Sequence, residues 1–218
     1  MKKLFTITAV ALFGLTVVNA QDVKFGAKAG INVATLNNDN KVYDVESITA
    51  FHIGVMAEIM LSDKFSFQPE LMYSSQGAVE SSSINAVDFA GEPISSDYET
   101  EYKLDYINLP LMAKYYVTEG LSLEAGPQIG FLLNSEADFK YSDTADGTTD
   151  SGSGTNNLKD FTSTIDFGLN FGLGYKLDNG LNFSARYNLG LSNVNDFPGS
   201  DDNKSKNSVL QVSVGFFF

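Results

Sequence analysis

The chain has no cysteine and no tryptophan, a single histidine, five prolines and, among its fourteen basic residues, a single arginine, Arg186. Without cysteine there is no disulfide, no thiolate metal site and no lipid anchored on a cysteine. One histidine, His52, rules out a metal centre built from several imidazoles. Basic residues are scarce as well: 27 acids give the chain a net charge of −13. Binding to nucleic acid needs clustered Lys and Arg, so a nucleic-acid partner is not expected. Beyond the first twenty residues no apolar run approaches the ~20 residues of a membrane helix.

What is present begins with "MKKLFTITAVALFGLTVVNA". Lys2 and Lys3 precede an apolar run from Leu4 to Val18, and Val18 and Ala20 occupy the −3 and −1 positions of a cleavage site. This is the plan of a secretory signal peptide over residues 1–20, cut after Ala20. Residues 21–218 then form one domain, more negative than the whole chain by the two lysines removed.

The domain alternates. From Phe161 to Leu177, "FTSTIDFGLNFGLGYKL" places apolar residues at nearly every odd position and small or polar ones at every even position, the mark of a long β-strand with two unlike faces. The same phase runs through "VKFGAKAGINV", "TAFHIGVMAEIML", "FSFQPELMYS", "LSLEAGPQIGFL" and "LNFSARYNLGL". In "VLQVSVGFFF" the apolar set is even, from Leu210 to Phe218. With the segment from Tyr102 to Val117 these make eight strands.

Their connections alternate in length. "SDK", "TEG" and "DNG" are three-residue turns flanked by apolar residues of one phase, as a tight hairpin requires. Positive φ is expected at Gly120 and Gly180, and strain at Lys64 in the equivalent place. The other four connections, Thr35 to Ile48, Gly77 to Thr100, Asn134 to Asp160 and Asn193 to Asn207, read as long polar loops. Short turns at one end and long loops at the other are the plan of an eight-stranded antiparallel up-and-down transmembrane β-barrel in a bacterial outer membrane.

Ten glycines, among them Gly30, Gly54, Gly126, Gly172 and Gly174, fall on the polar face. That face is therefore the cramped interior of a narrow barrel, the reverse of a lipocalin. Phe65, Tyr115, Tyr175 and Phe216 near the turns, and Phe51, Tyr73, Phe131 and Phe161 near the loops, read as interfacial girdles. Charge in a narrow interior must be paired. If "TEG" closes its hairpin, Lys114 stands opposite Glu124; by the same rule for "DNG", Arg186 stands opposite Gly172, which leaves it room. Adding Glu58 and Glu70 at similar height predicts an interior polar cluster of Glu58, Glu70, Lys114, Glu124 and Arg186, read as a plug rather than a path. Phe217 points inward beneath it.

"YKLDYINLPLMAKYYV" breaks phase: Tyr102, Leu104 and Tyr106 are even, whereas Ile107 to Val117 are odd. A bulge near Tyr106 to Asn108, beside Pro110, would restore one apolar face. On "FGAKAGIN", "YINLPLMAKYY", "GLGYKL" and the final aromatic strand, the chain resembles the bacterial outer-membrane β-barrel proteins labelled porin-family or PorT-like, similar in shape to OmpX and the OmpA barrel. The resemblance implies an outer-membrane location among lipid and lipopolysaccharide. It also implies that the barrel assembly machinery reads a terminal aromatic signal, which Phe216 and Phe218 match. It names a fold rather than an activity.

His52 with Ser74 or a loop serine could form a Ser-His-acid set of the kind used by lipid-modifying barrels, but no spacing supports it, and no enzyme is expected. Acids in the second connection (Glu80, Asp88, Glu92, Asp97, Glu99) and the third (Glu136, Asp138, Asp143, Asp146, Asp150, Asp160) read as a solvated surface. Their spacing does not match an EF-hand loop. The expectation is a monomeric barrel without cofactor, acting structurally or by surface contact through acidic extracellular loops that reach a ligand outside the cell. Porin-like passage of small solutes or ions is the alternative.

Overall fold

The computed structural model describes residues 23–38, 44–87, 91–200 and 204–218. The expected signal peptide lies outside the described residues. Among the described residues nine strands follow one another: β1 (Val23–Asn38), β2 (Asp44–Met60), β3 (Phe65–Val87), β4 (Pro93–Tyr116), β5 (Leu121–Ala145), β6 (Thr148–Asn157), β7 (Ile165–Lys176), β8 (Leu181–Gly190) and β9 (Ser205–Phe217). Every pairing is antiparallel, and the order β4-β3-β2-β1-β9-β8-β7-β5 closes on itself through β4–β5. Eight strands thus make a barrel, and β6 is a ninth strand laid on β5 alone. β9 seals the ring against β1, from Gly26 opposite Phe217 to Asn38 opposite Ser205.

The turns differ in how they close. Gly180 has φ +91°, as expected, and an added Cβ would lie 2.5 Å from the Phe217 carbonyl. Gly120 and Lys64 are not in the positive-φ region; among the described residues Asp146 is the one non-glycine there. Side-chain hydroxyls do the work instead. Ser62 Oγ accepts from the Phe65 N–H at 3.2 Å, and Thr118 Oγ1 from the Leu121 N–H at 3.1 Å. A hydroxyl bonded two or three residues ahead closes a turn without a left-handed residue.

Most of the second and third connections are strand, not loop. β3 and β4 run on as a ladder to Val87 opposite Pro93, and β5 pairs with β4 up to Thr144 and with β6 up to Thr148. A four-stranded sheet, the outer parts of β3, β4 and β5 with β6, therefore projects past the loop-end mouth. The first and last connections are shorter too, since β1 reaches Asn38 and β9 starts at Ser205. Alternation betrays a strand only when its two faces meet different media. Both faces of the projecting sheet are mostly polar, with Ile84, Val87 and Tyr98 exposed among Ser, Thr and Asp, so its pairing left no regular period to find.

β4 keeps one phase throughout: Leu104, Tyr106, Asn108, Met112, Lys114 and Tyr116 all point inward and are buried. The expected bulge near Tyr106 to Asn108 of β4 is instead on its partner, where Leu133 of β5 is the extra residue between Asp105 paired to Asn134 and Tyr106 paired to Leu132. The apolar even residues are genuine interior. With Leu36, Ala78, Leu132 and Val194 they form an apolar core in the loop-end mouth.

Outside, Phe25, Ile31, Ile53, Val55, Leu71, Phe167, Leu173, Val212 and Val214 are all exposed. So continuous a belt is far beyond what a water-soluble surface carries. Phe51 stacks with Tyr73 at 5.5 Å near one rim, and Phe65 with Tyr115 at 4.9 Å near the other. Phe161 is not in a strand. It ends a 3₁₀ turn, Lys159–Phe161, at the loop-end mouth. Pro69, Pro110 and Pro127 lie in neighbouring strands. The β3–β4 ladder steps from Pro69–Leu111 to Met72–Asn108, and β4–β5 from Pro110–Gln128 to Ala113–Ala125. A proline has no N–H to donate, so these two ladders are interrupted there.

Candidate functional site

The interior is stratified along the barrel axis. At the turn end sit seven charged side chains, all of inward parity. Glu58, Glu70, Lys114, Glu124 and Arg186 are each buried, joined by Lys28. Lys176 closes the group at its edge. Arg186 spans two carboxylates: its Nη2 is 2.7 Å and its Nη1 2.9 Å from Glu70, and its Nε 2.6 Å from Glu124. Glu70 also takes Lys28 at 2.8 Å and a hydrogen bond from Gln68 Nε2 at 2.6 Å. Lys114 lies 3.2 Å from Glu124 and 3.5 Å from Glu58. Glu58 is further held by Lys176 at 2.7 Å, by Ser66 Oγ at 3.0 Å and by the Tyr116 hydroxyl.

Desolvating a charge costs several kcal/mol unless geometry and extra hydrogen bonds compensate it. Here each of the three carboxylates has at least two cationic or hydroxyl partners. A cavity bordered by Lys28, Lys114, Glu124 and Arg186 measures about 10 Å³, room for roughly one water. Gly172 makes the fit possible, since a Cβ there would come within 2.6 Å of Arg186 Cγ. Phe217 is buried at the same mouth, and Lys176 Nζ sits 5.6 Å from its ring centroid. Lys28 and Lys176 were absent from the sequence-based cluster. Their inward parity, even in both strands, was the available signal.

Above the charges lies a neutral layer. Asn32 Nδ2 donates to Ser74 Oγ at 2.9 Å and to the Ser75 carbonyl at 2.8 Å. Its Oδ1 therefore accepts from His52 Nδ1 at 2.7 Å and from Gln211 Nε2 at 3.1 Å. That leaves His52 Nε2 to accept from Ser213 Oγ at 2.8 Å. The serine on His52 is thus Ser213 rather than Ser74, and the third member is an amide rather than an acid. Asn32, His52, Ser74, Gln211 and Ser213 are all buried. Farther round the wall Asn188 donates to Asn170 at 3.2 Å, Asn170 to Gln128 at 3.1 Å, and Ser192 to Asp166 at 2.6 Å. The apolar core of Leu36, Leu104, Tyr106 and Leu132 then closes the loop end.

The projecting sheet carries its own pairs. Lys103 Nζ lies 2.6 Å from Asp138 and Lys140 Nζ 3.1 Å from Glu99. The Lys103 hydrogen bond, helped by Thr155, holds the Asp138 carboxyl below its ordinary value, and Asp138 in turn raises the Lys103 ammonium. The acids of this sheet are spread along it; among the described residues no three of His, Asp and Glu converge as metal ligands. Asp88 lies outside the described residues.

A family profile described as outer membrane protein beta-barrel domain matches residues 19–196. No curated protein matches the sequence. Among solved structures, Ail, the attachment invasion locus protein of Yersinia pestis, is similar at 13% identity and TM-score 0.47, covering 90% of this chain and 99% of that one. Neisserial surface protein A is similar at 13% identity and TM-score 0.49, over 90% and 99%. Acinetobacter baumannii CarO is similar at 15% identity and TM-score 0.42, over 88% and 97%.

Proposed function

The chain belongs to the outer membrane protein beta-barrel domain family, and from that premise we propose that it is a sealed barrel of the bacterial outer membrane whose working part is the projecting sheet. The observation that carries this reading is the charged layer, in which side chains from β1, β2, β3, β4, β5, β7 and β8 join in one unbroken chain of ion pairs across the barrel. A lumen closed in this way is a rigid support rather than a conduit. The Glu58, Glu70, Lys114, Glu124 and Arg186 cluster is then a plug, and function falls to what stands outside.

That sheet is polar, acidic and edged by β6, which ends the strand order with one side unpaired. An open strand edge offers a row of backbone donors and acceptors to an extended segment of a partner. Loops and extensions on a rigid scaffold are where binding residues concentrate. The reading is therefore surface contact, with lipid and lipopolysaccharide around the belt.

Planar-bilayer recording of the refolded full chain tests it. No stable channel is expected, and cells carrying a chain without Thr148–Asn157 should lose the surface adhesion of cells carrying the whole chain. Long-lived open channels would replace this reading with porin-like passage.

A further inference from the structure

The loop-end mouth is not filled to its rim. Above the apolar core is a cavity of about 260 Å³, with Leu36 and Leu104 among its lining and Leu158, Phe161 and Phe197 beside them. Phe161 and Phe197 are 57% and 40% exposed, unusual for rings with an interior within reach. Asn38, Ser135, Thr162, Asn195 and Ser205 complete the wall, and one acid, Glu80, is set into it. Tyr102 donates a hydrogen bond to it, and no lysine or arginine pairs with it among the described residues. Glu80 and Tyr102 also line a second cavity of about 380 Å³ along the projecting sheet, so the space opens outward.

The contrast with the charged layer is informative. There every buried carboxylate has its cations; here a half-buried one, beside aromatic and aliphatic side chains, has a phenol and no cation among the described residues. Burial pushes the Glu80 carboxyl above its ordinary value, against the hydrogen bond from Tyr102. Aromatic faces and a carboxylate together favour one ligand chemistry, since rings attract cations through their faces and the carboxylate fixes an ammonium by a charge-assisted hydrogen bond. The volume is at the small end of ligand pockets, enough for a compact body.

We propose that this mouth cavity is a dead-end binding site for a small organic cation with an apolar body, its ammonium on Glu80 and its body against Phe161, Phe197 and the Leu36–Leu104 floor. The closed core below makes it a receptor-like site and not the entrance of a path. The ligand reaches it from outside the cell. The site is independent of the open β6 edge and stands whether or not that edge binds a partner.

The test is calorimetric titration of the full chain, refolded in detergent, with 2-phenylethylammonium, and in parallel with neutral 2-phenylethanol and anionic phenylacetate. The amine should bind more tightly than either, and Glu80→Gln, which keeps an acceptor for Tyr102, should weaken it about tenfold or more, the worth of a hydrogen bond to a charged group. Asp150→Asn, on the exposed sheet, should leave the titration unchanged and so separates a site from general attraction to an acidic surface. Heat-modifiable gel mobility verifies that each variant is folded. Absence of amine binding, equal binding of the alcohol, or an unaltered Glu80→Gln titration overturns the proposal.

Discussion

Arg186 on β8 meets Glu70 on β3 at 2.7 Å, although the two strands are four places apart in an eight-strand ring. The pair therefore spans the barrel's diameter. A bond of that kind ties opposite walls together and bars the axis between them. Arg186 is the one arginine of the chain, and its planar fork serves Glu70 and Glu124 at once, which an ammonium could not do with the same geometry.

Arg186→Leu leaves Glu70 and Glu124 buried with fewer cations. Removing one partner of a buried pair costs about 3–5 kcal/mol, so unfolding by urea from lipid vesicles should move by that amount. Arg186→Lys should recover part of it. A shift under about 1 kcal/mol, the scale of a surface pair, would show that the layer is not dry.

Gly77 stands where barrel becomes sheet. Its φ is +149°, a Cβ would meet the Tyr102 carbonyl at 1.9 Å, and β2 gains a residue on β3 between Ser47 and His52. Gly77→Val should cost on the order of 1–3 kcal/mol locally. Limited proteolysis of the variant should trim the projecting sheet while the heat-resistant barrel persists; an intact sheet at wild-type rates would sink this account of the junction.

The outer sheet should respond to acid. Asp138 titrates below its ordinary value when folded, so its contribution is present above the usual aspartate pKa of about 3.9 and is lost as pH falls through the lower folded value. Lys103, raised by the same bond, contributes below its ordinary value of about 10.4 and loses it as pH rises further. Amide protection factors in β5 and β6 should drop below pH 4 while those of β1 and β9 hold. Lys103→Met should remove the difference, and an unchanged pH response in that variant would exclude the pair as its source.

Phe216 and Phe218 face outward at the end of β9, and Phe218 is the more exposed. If the assembly machinery reads them, deleting Phe218 should lower the amount of barrel inserted in cells several-fold, yet leave refolding into detergent unaffected. Equal loss in both assays would mean that the residue serves folding alone.

The barrel was legible because each spanning strand has one apolar and one small or polar face, a contrast that sequence displays directly. Turn arithmetic was enough to set Lys114 opposite Glu124 and Arg186 opposite Gly172, because a hairpin's register follows from its loop length. β6 and the outer halves of β3, β4 and β5 were hidden, since strands wet on both faces have no hydrophobic period. Leu104 and Tyr106 misled for the opposite reason. Their apolar character suggested an outward face, but the interior itself changes from charged to apolar along the axis.

Sequence by itself determined the alternation, the hairpin ends, the inward parity of every charged residue in the plug, and a compartment in which such a chain is stable. Only closure of the ring decided which of those inward residues meet. Lys28 with Glu70, Lys176 with Glu58 and His52 with Ser213 join residues from strands far apart in sequence. Such contacts depend on barrel diameter, stagger and glycine placement together, a geometry that no local window contains.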